Sequence, residues 1–216
     1  MNDNPLGRSA WCVFAVVFAL MVIDFLDRQV VVSMFPHLKS EWKLSDAQLG
    51  ALVSIVSLTV AIGTVPLSFL ADRFDRVKSI FAMAIVWSLA TIACAFAESY
   101  SLLLAARSVV GLGEAAYGAV GAALLATLFP ARMRSTILAA FLGASLLGSM
   151  LGVALGGLIA ERWGWRAGFG VVGIPGLLLA VLFIVAARDY KTAALPSDAR
   201  IQSGLWMRTR TIIVTL

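Results

Sequence analysis

The chain has 216 residues, of which 61% are hydrophobic and only 13% are charged, with a mean hydropathy of +0.94. Soluble domains carry about 25% charged residues, and a soluble fold of this size cannot hide so much apolar surface, so the composition excludes a soluble globular protein. The net charge of +5 does not indicate nucleic-acid binding either, because the basic residues lie in short segments between apolar runs and not on one polar face.

Six apolar runs are long enough to cross a bilayer as helices, which takes about 20 residues. They lack the alternation of polar and apolar residues that is typical of membrane strands. We therefore predict an all-α bundle of six transmembrane helices within residues 1–188. The predicted helices are Ala10–Phe35, Leu49–Ala71, Ser79–Ala97, Ser101–Leu128, Ser135–Ala160 and Gly168–Ala187.

The remaining residues predict a connection to a second bundle. Residues 189–210 are polar and basic, which is typical of a cytoplasmic linker, and residues 211–216 begin a seventh apolar run that stops at Leu216. Eleven Lys and Arg residues lie in the N-terminal segment and after the second, fourth and sixth helices, against four on the opposite side. By the positive-inside rule this asymmetry places the N-terminus in the cytoplasm.

The first helix carries three ionisable residues, Asp24, Asp27 and Arg28. Each costs about 2.5–3.5 kcal/mol at the centre of a membrane helix, so such residues face a cavity or one another. Asp24 and Arg28 are four residues apart with the acid first, which favours a pair on one helix face. Asp27 is the first candidate for a proton-exchanging group, because it is buried and lies three residues from Asp24.

The fourth helix carries Arg107 and Glu114. They are two turns apart, so they share a face but are too distant to pair, and each is left for another helix or a substrate. Tyr117, one turn beyond Glu114, is expected on the same face. A rise of about 1.5 Å per residue brings these charges to depths that overlap those of the first helix, which predicts one shared cavity. A purely structural ion network is the alternative.

The fifth helix has a ridge of glycines, Gly148, Gly152, Gly156 and Gly157. Glycines four residues apart let another helix approach closely. Close packing explains the ridge, with a sliding surface for conformational change as the alternative.

The turn Ser68–Lys78 holds Asp72, Arg73 and Arg76 in a dense charged segment between the second and third helices. By charge alone it is a positive-inside anchor.

No metal or cofactor site is expected. Cys12 and Cys94 lie in apolar runs and His37 is the single histidine, so the Cys/His spacing of a metal site is missing.

Three of these segments resemble motifs of the major facilitator superfamily. Ser68–Lys78 is similar to its loop motif, Arg107 with the glycines that follow it is similar to its fourth-helix motif, and Gly152–Gly157 is similar to its fifth-helix motif. Ser68 and Asp75 depart from the loop motif, where glycine is usual; Asp tolerates the left-handed backbone better than most residues. Val153 replaces the proline typical of proton antiporters.

Within the superfamily, Phe25–Gln29, Leu44–Gly50 and Arg107–Ala115 look most like the spinster-type transporters, which are associated with lysophospholipid or sphingolipid-like export. The organic anion:cation symporters share much of the first-helix pattern and are the alternative.

The resemblance implies a twelve-helix fold of two six-helix bundles that works by alternating access. It places Asp27, Arg28, Arg107 and Glu114 on the central cavity, with an acid that takes a coupling proton. It assigns Asp72 and Arg76 to a cytoplasmic gate that closes on the second bundle.

We therefore predict a secondary transporter in the cell membrane, surrounded by membrane lipids, that couples H⁺ to an amphipathic lipid-like or anionic organic solute. A membrane-embedded enzyme is disfavoured, because the single histidine His37 lies in a loop and no nucleophile set is visible. A channel is disfavoured because no repeated pore segment is present. A half-size transporter that dimerises is disfavoured by the apolar run that stops at Leu216.

Overall fold

The computed structural model describes residues 8–187, and over that range the regular structure is entirely helical. The predicted linker 189–210 and the predicted start of a seventh helix at 211–216 lie outside the described residues. The helices are α1 (Arg8–Ser33), α2 (Phe35–Trp42), α3 (Asp46–Arg73), α4 (Arg76–Ala95), α5 (Tyr100–Glu114), α6 (Tyr117–Leu128), α7 (Ala131–Trp163) and α8 (Trp165–Ala186).

The described residues contain six segments long and apolar enough to cross a membrane, which confirms the predicted all-α bundle. These segments are Ser9–Ser33, Asp46–Ala71, Arg76–Ala95, Tyr100–Leu128, Ala131–Trp163 and Trp165–Ala186.

Capping residues explain where two of the spans begin. Ser45 forms a capping box with Gln48, so α3 starts at Asp46, three residues before the predicted start. Asp75 caps α4 by accepting from the backbone N–H groups of Val77 and Lys78. Polar capping side chains therefore extend these helices beyond their apolar runs.

Two predicted helices are interrupted. The first ends at Ser33, and Pro36 opens the separate helix α2, because proline fits the first turn of a helix but not its interior. His37 therefore lies in a short helix and not in a loop. The fourth predicted helix breaks at residues 115–116, where the Thr64 hydroxyl donates to the carbonyl of Ala115 at 2.6 Å. That contact uses a carbonyl near the helix break and stabilises it.

The glycine ridge of α7 packs against α1. A Cβ at Gly152 would lie 2.7 Å from both the Gln29 Cβ and the Leu26 carbonyl oxygen, and Gly148 and Gly156 meet the same helix. Gly157 differs from the prediction: nothing lies within 4 Å of a Cβ placed there, because one residue along a helix turns by about 100°. Three of the four predicted glycines therefore form the contact.

The apolar core is divided into two clusters at the level of the charged residues. On α1 the first cluster ends at Met21 and the second begins at Leu26. On the fourth span the order is reversed: the second cluster includes Val110 and the first begins at Ala116. The ionisable side chains between these limits thus lie in a polar layer with apolar packing above and below it.

At the end of the bundle opposite the α3–α4 turn, Glu41, Ala97, Trp165 and Arg166 form a set of contacts that we call the clamp. It links α2, the α4–α5 connection and the start of α8. Glu41 on α2 accepts hydrogen bonds from the indole N–H of Trp165 at 2.5 Å and from Arg166 at 2.9 Å. Arg166 also donates to the carbonyl of Ala97 and lies over the Trp165 ring. The hydrogen bond from Trp165, followed by that from Arg166, lowers the pKa of Glu41 below its ordinary value of 4.5.

Replacement of two glycines five residues apart on α7, which lie on different faces of the helix, should have different effects on stability. Gly152→Ala forces α1 away from α7, and overpacking of this kind costs about 1–3 kcal/mol. Gly157→Ala, the matched control, is expected to be neutral or stabilising by up to about 1 kcal/mol, because alanine favours helices. Thermal unfolding of the purified, complete protein measures both. Equal effects of the two changes would contradict the assigned helix contact.

The clamp predicts a pH-dependent contribution to stability. Because the folded-state pKa of Glu41 is lowered, its carboxylate stabilises the fold above 4.5 and this stabilisation is lost as the pH falls through the folded-state value. Glu41→Gln should therefore lower the unfolding temperature at neutral pH, and the difference from the wild type should shrink below pH 4.5. The exposed Glu98 supplies the control Glu98→Gln. A difference that does not change with pH would refute this role.

Candidate functional site

Helices α1 and α5 bring five ionisable side chains together within the bundle, which we call the ion cluster: Asp24, Asp27, Arg28, Arg107 and Glu114. Arg107 Nη1 lies 2.6 Å from Asp27 Oδ2, and both side chains are almost fully buried. The predicted pair within α1 is also present, with Arg28 Nε 3.2 Å from Asp24 Oδ1. The five side chains face one another and not the lipid.

Arg28 contacts the two carboxylates of the ion cluster that do not pair with Arg107, those of Asp24 and Glu114. Its Nη2 lies 2.7 Å from Glu114 Oε2 while its Nε contacts Asp24, so one guanidinium serves two carboxylates. Arg28 is 24% exposed, whereas the Asp24 and Glu114 side chains are at most 5% exposed. Of these three side chains, Arg28 is therefore the most accessible one.

The cluster holds unequal charge. Three carboxylates face two guanidiniums, so the fully ionised cluster carries one uncompensated negative charge. Within the described residues, Glu114 Oε1 and Asp27 Oδ1 are buried without a hydrogen-bond donor. A buried charge without a partner is strongly unfavourable, so one bound proton or cation would balance the site.

Arg107 and Glu114 both pair with side chains of α1, so of the two partners that the sequence left open, another helix or a substrate, the structure shows another helix. Each guanidinium contacts at least one carboxylate. An anionic solute must therefore displace or share a carboxylate in order to bind there.

Tyr117 lies in the packing between α1, α4 and α7 and not among the ion-cluster contacts. Its hydroxyl donates to the Val17 carbonyl at 2.6 Å, and its ring meets Trp87 and Phe141 edge to face. Two turn residues, Ala115 and Ala116, separate Glu114 from Tyr117 at the start of α6, and the Tyr117 hydroxyl is used for the contact with the α1 backbone.

The charged turn is described in part. Arg73 is exposed at the end of α3, Arg76 begins α4, and the Asp72 side chain lies outside the described part. Asp75 has an extended backbone with φ −72° and caps α4. It therefore replaces glycine without the left-handed conformation that the sequence suggested.

The sequence did not identify Thr64 as a functional neighbour. Its hydroxyl reaches the Ala115 carbonyl directly after Glu114. The only available signal was a threonine within an apolar run, and such residues usually bond to their own helix, as Thr64 also does to Val60.

Breaking one buried pair should destabilise the bundle more than removing both partners. Arg107→Met leaves Asp27 buried without a partner, at a cost of about 3–5 kcal/mol, whereas Asp27→Leu with Arg107→Met should recover most of it. Thermal unfolding of the complete protein in detergent measures both. Lys39→Met, which breaks the exposed pair with Asp46, is the control and should cost about 0–1 kcal/mol. A double variant no more stable than Arg107→Met would contradict the pairing.

The chain is similar to several characterised proteins. It is 33% identical over 183 residues to the niacin transporter NiaP of Acinetobacter baylyi, covering 84% of this chain and 42% of that protein. It is 31% identical to the Homo sapiens protein spinster homolog 1, covering 81% of this chain and 35% of that protein. The chain thus spans less than half the length of these relatives.

The fold matches a solved structure of a bacterial homologue of the human lysosomal transporter spinster, in an inward-facing and occupied conformation. The TM-score is 0.78 at 25% identity, over 86% of this chain and 46% of that one. The family model described as Major Facilitator Superfamily matches residues 17–213. The family and the relatives named as transporters are not enzymes, and the resemblance to the superfamily and to its spinster-type members is confirmed. The chain is a multi-pass membrane protein that belongs to the Major Facilitator Superfamily.

Proposed function

We propose that this chain is the N-terminal six-helix bundle of a secondary transporter that works by alternating access and couples solute movement to H⁺. The observation that carries the proposal is the ion cluster, in which three buried carboxylates share two guanidiniums. Charged residues within a membrane span are energetically costly and usually have a function. In this cluster the ion pairs leave one negative charge uncompensated.

The proton is best accommodated between Asp24 and Glu114. These two carboxyl groups share the guanidinium of Arg28, which lies 3.2 Å from Asp24 Oδ1 and 2.7 Å from Glu114 Oε2. One positive charge cannot compensate two carboxylates, and a single proton bound by either of them restores the balance. Asp27, the first candidate from the sequence, forms a close one-to-one pair with Arg107 and has less need of a proton.

The exposed part of Arg28 is the proposed contact for substrate. An anionic group that binds this guanidinium competes with Glu114 and Asp24 for the same positive charge. Binding therefore alters the proton affinity of the two acids, and the converse holds by linkage. This competition couples the solute to the proton.

The proposed substrate is an amphipathic lipid-like or anionic organic solute. The similarity to spinster homolog 1 and to the bacterial spinster homologue supports the lipid-like class. A small carboxylate, carried as in an organic anion:cation symporter, is the second candidate, and the relative named as a niacin transporter supports it.

We place the protein in the cell membrane with its N-terminus in the cytoplasm, since the basic residues favour that side. A second six-helix bundle of the same protein completes the proposed twelve-helix fold, because the relatives are more than twice as long as the matched region. The turn with Asp72, Arg73 and Arg76 is the proposed gate against that bundle.

Neutralising the shared acid should uncouple transport from protons. In liposomes that contain the complete protein, Glu114→Gln should abolish stimulation of uptake by a proton gradient and lower the rate by about tenfold or more, the equivalent of about 1.4 kcal/mol. Radiolabelled lysophosphatidylcholine and niacin are the two probes, and internal pH is followed with a dye.

Asp27→Asn should also slow uptake but keep the response to the gradient, because Asp27 pairs with Arg107 and not with the shared proton. Glu98→Gln, an exposed change, is the control. Wild-type rates and unchanged pH dependence in Glu114→Gln would refute the coupling role, and the probe that is transported decides between the two substrate classes.

A further inference from the structure

A groove of about 700 Å³ opens between the second half of α3 and the first half of α4, with α5 at its floor. Cavities that bind small molecules have volumes of about 300–1,000 Å³. None of the ion-cluster residues lines the groove. It is therefore a feature separate from the proposed transport site.

The walls of the groove are apolar and open to the surroundings. Ile62 and Phe74 on the α3 side are 65% and 64% exposed, and Ala82 on α4 is also exposed. Gly63 and Gly113 lie on its inner wall, where they allow α3 and α4 to pack closely against the α5 segment. Because these helices are long and apolar enough to span a membrane, the groove lies at the depth of the hydrocarbon, and its apolar walls suit an acyl chain.

Positive charge surrounds one end of the groove. Lys78 lines it and Arg73 lies beside it, both exposed, and neither forms an ion pair among the described residues. Asp75 lies at the same end, but its carboxylate accepts from the N–H groups of Val77 and Lys78. The Asp75 carboxylate thus caps the start of α4, and the side chains of Lys78 and Arg73 are available to bind an anionic head group.

The length of the groove matches one leaflet of the membrane. From Ile62 to Phe74 the helix rises about 18 Å at 1.5 Å per residue, slightly more than half of the hydrocarbon thickness of about 30 Å. At the deep end α3 meets α5, where Gly111 lies against Thr59 and Val56. At the other end the short turn between α3 and α4 closes it. A further membrane-spanning helix would need a groove that is open at both ends, so the closed ends favour a lipid as the occupant.

We propose that this groove binds an anionic phospholipid from the leaflet on the side of the α3–α4 turn. One acyl chain lies along α3 between Ile62 and Phe74, and the phosphate contacts Lys78 and Arg73. Basic residues at a membrane surface attract anionic lipids, and the groove adds a fixed position for the chain. Arg73 also belongs to the turn that we propose as the gate, whereas Lys78 and the apolar wall belong to the groove alone.

Photo-crosslinking of the complete protein in bilayers tests the proposal. The probes are phosphatidylglycerol and phosphatidylcholine, each with a diazirine near the end of one acyl chain, followed by mapping of the labelled peptides. Phosphatidylglycerol should label the groove segments of α3 and α4 about fivefold more than phosphatidylcholine, since one basic residue near the surface is worth about that factor.

Two variants with matched controls complete the test. Ala82→Trp fills the groove and should remove the labelling, whereas Val181→Trp, at a similar depth on the lipid-facing side of α8, should not. Lys78→Gln should reduce the preference for phosphatidylglycerol about fivefold, whereas Arg132→Gln, an exposed change outside the groove, should not. The Val181 control separates groove filling from a general effect of tryptophan in the bilayer.

Equal labelling by the two lipids would overturn the proposal and indicate ordinary boundary lipid. Absence of labelling in the wild type would also overturn it and indicate that another part of the protein covers the groove. Labelling that persists in Ala82→Trp would place the lipid elsewhere. Uptake assays on the same variants are not needed for any of these conclusions.

Discussion

The fold of this bundle depends on the balance of charge in the ion cluster. Five ionisable groups lie between two apolar clusters, and each would oppose membrane insertion if it faced lipid. Their mutual contacts fix the rotation of α1 against α5: only one orientation brings Asp27 to Arg107 and Arg28 to Glu114 together. The glycines of α7 then allow this helix to pack closely against α1. The imbalance of one charge in this cluster is the basis of the proposed coupling to protons.

The sequence predicted the parts of this arrangement that are local. The six spans follow from length and hydropathy, and the pair of Asp24 with Arg28 follows from their spacing on one helix. The contact between Asp27 and Arg107 was not predictable, because it depends on how two distant helices rotate about their axes. Gly157 is a different case: it lies about 100° around the helix from Gly156, so helical periodicity alone could have excluded it from the ridge.

Breaks and caps were also beyond a reading of hydropathy. The interruption after Glu114 occurs in a continuous apolar run, and it is stabilised by a hydroxyl of another helix, that of Thr64. Asp75 takes the place of a glycine by capping α4, a role that depends on backbone geometry and not on residue tolerance. In both positions one polar side chain determines the course of the chain, and apolar periodicity contains no information about it.

The two kinds of ion pair have different consequences for biogenesis. Arg28 and Asp24 belong to the same helix, so α1 can carry this pair with it when it leaves the translocon. The partner of Asp27 lies 80 positions further along the chain, and until that segment has been synthesised and inserted the aspartate has no counterion from α5. We therefore expect the first span to reach its final depth and rotation only after the fourth has entered the bilayer, which would impose an order of assembly on the nascent chain.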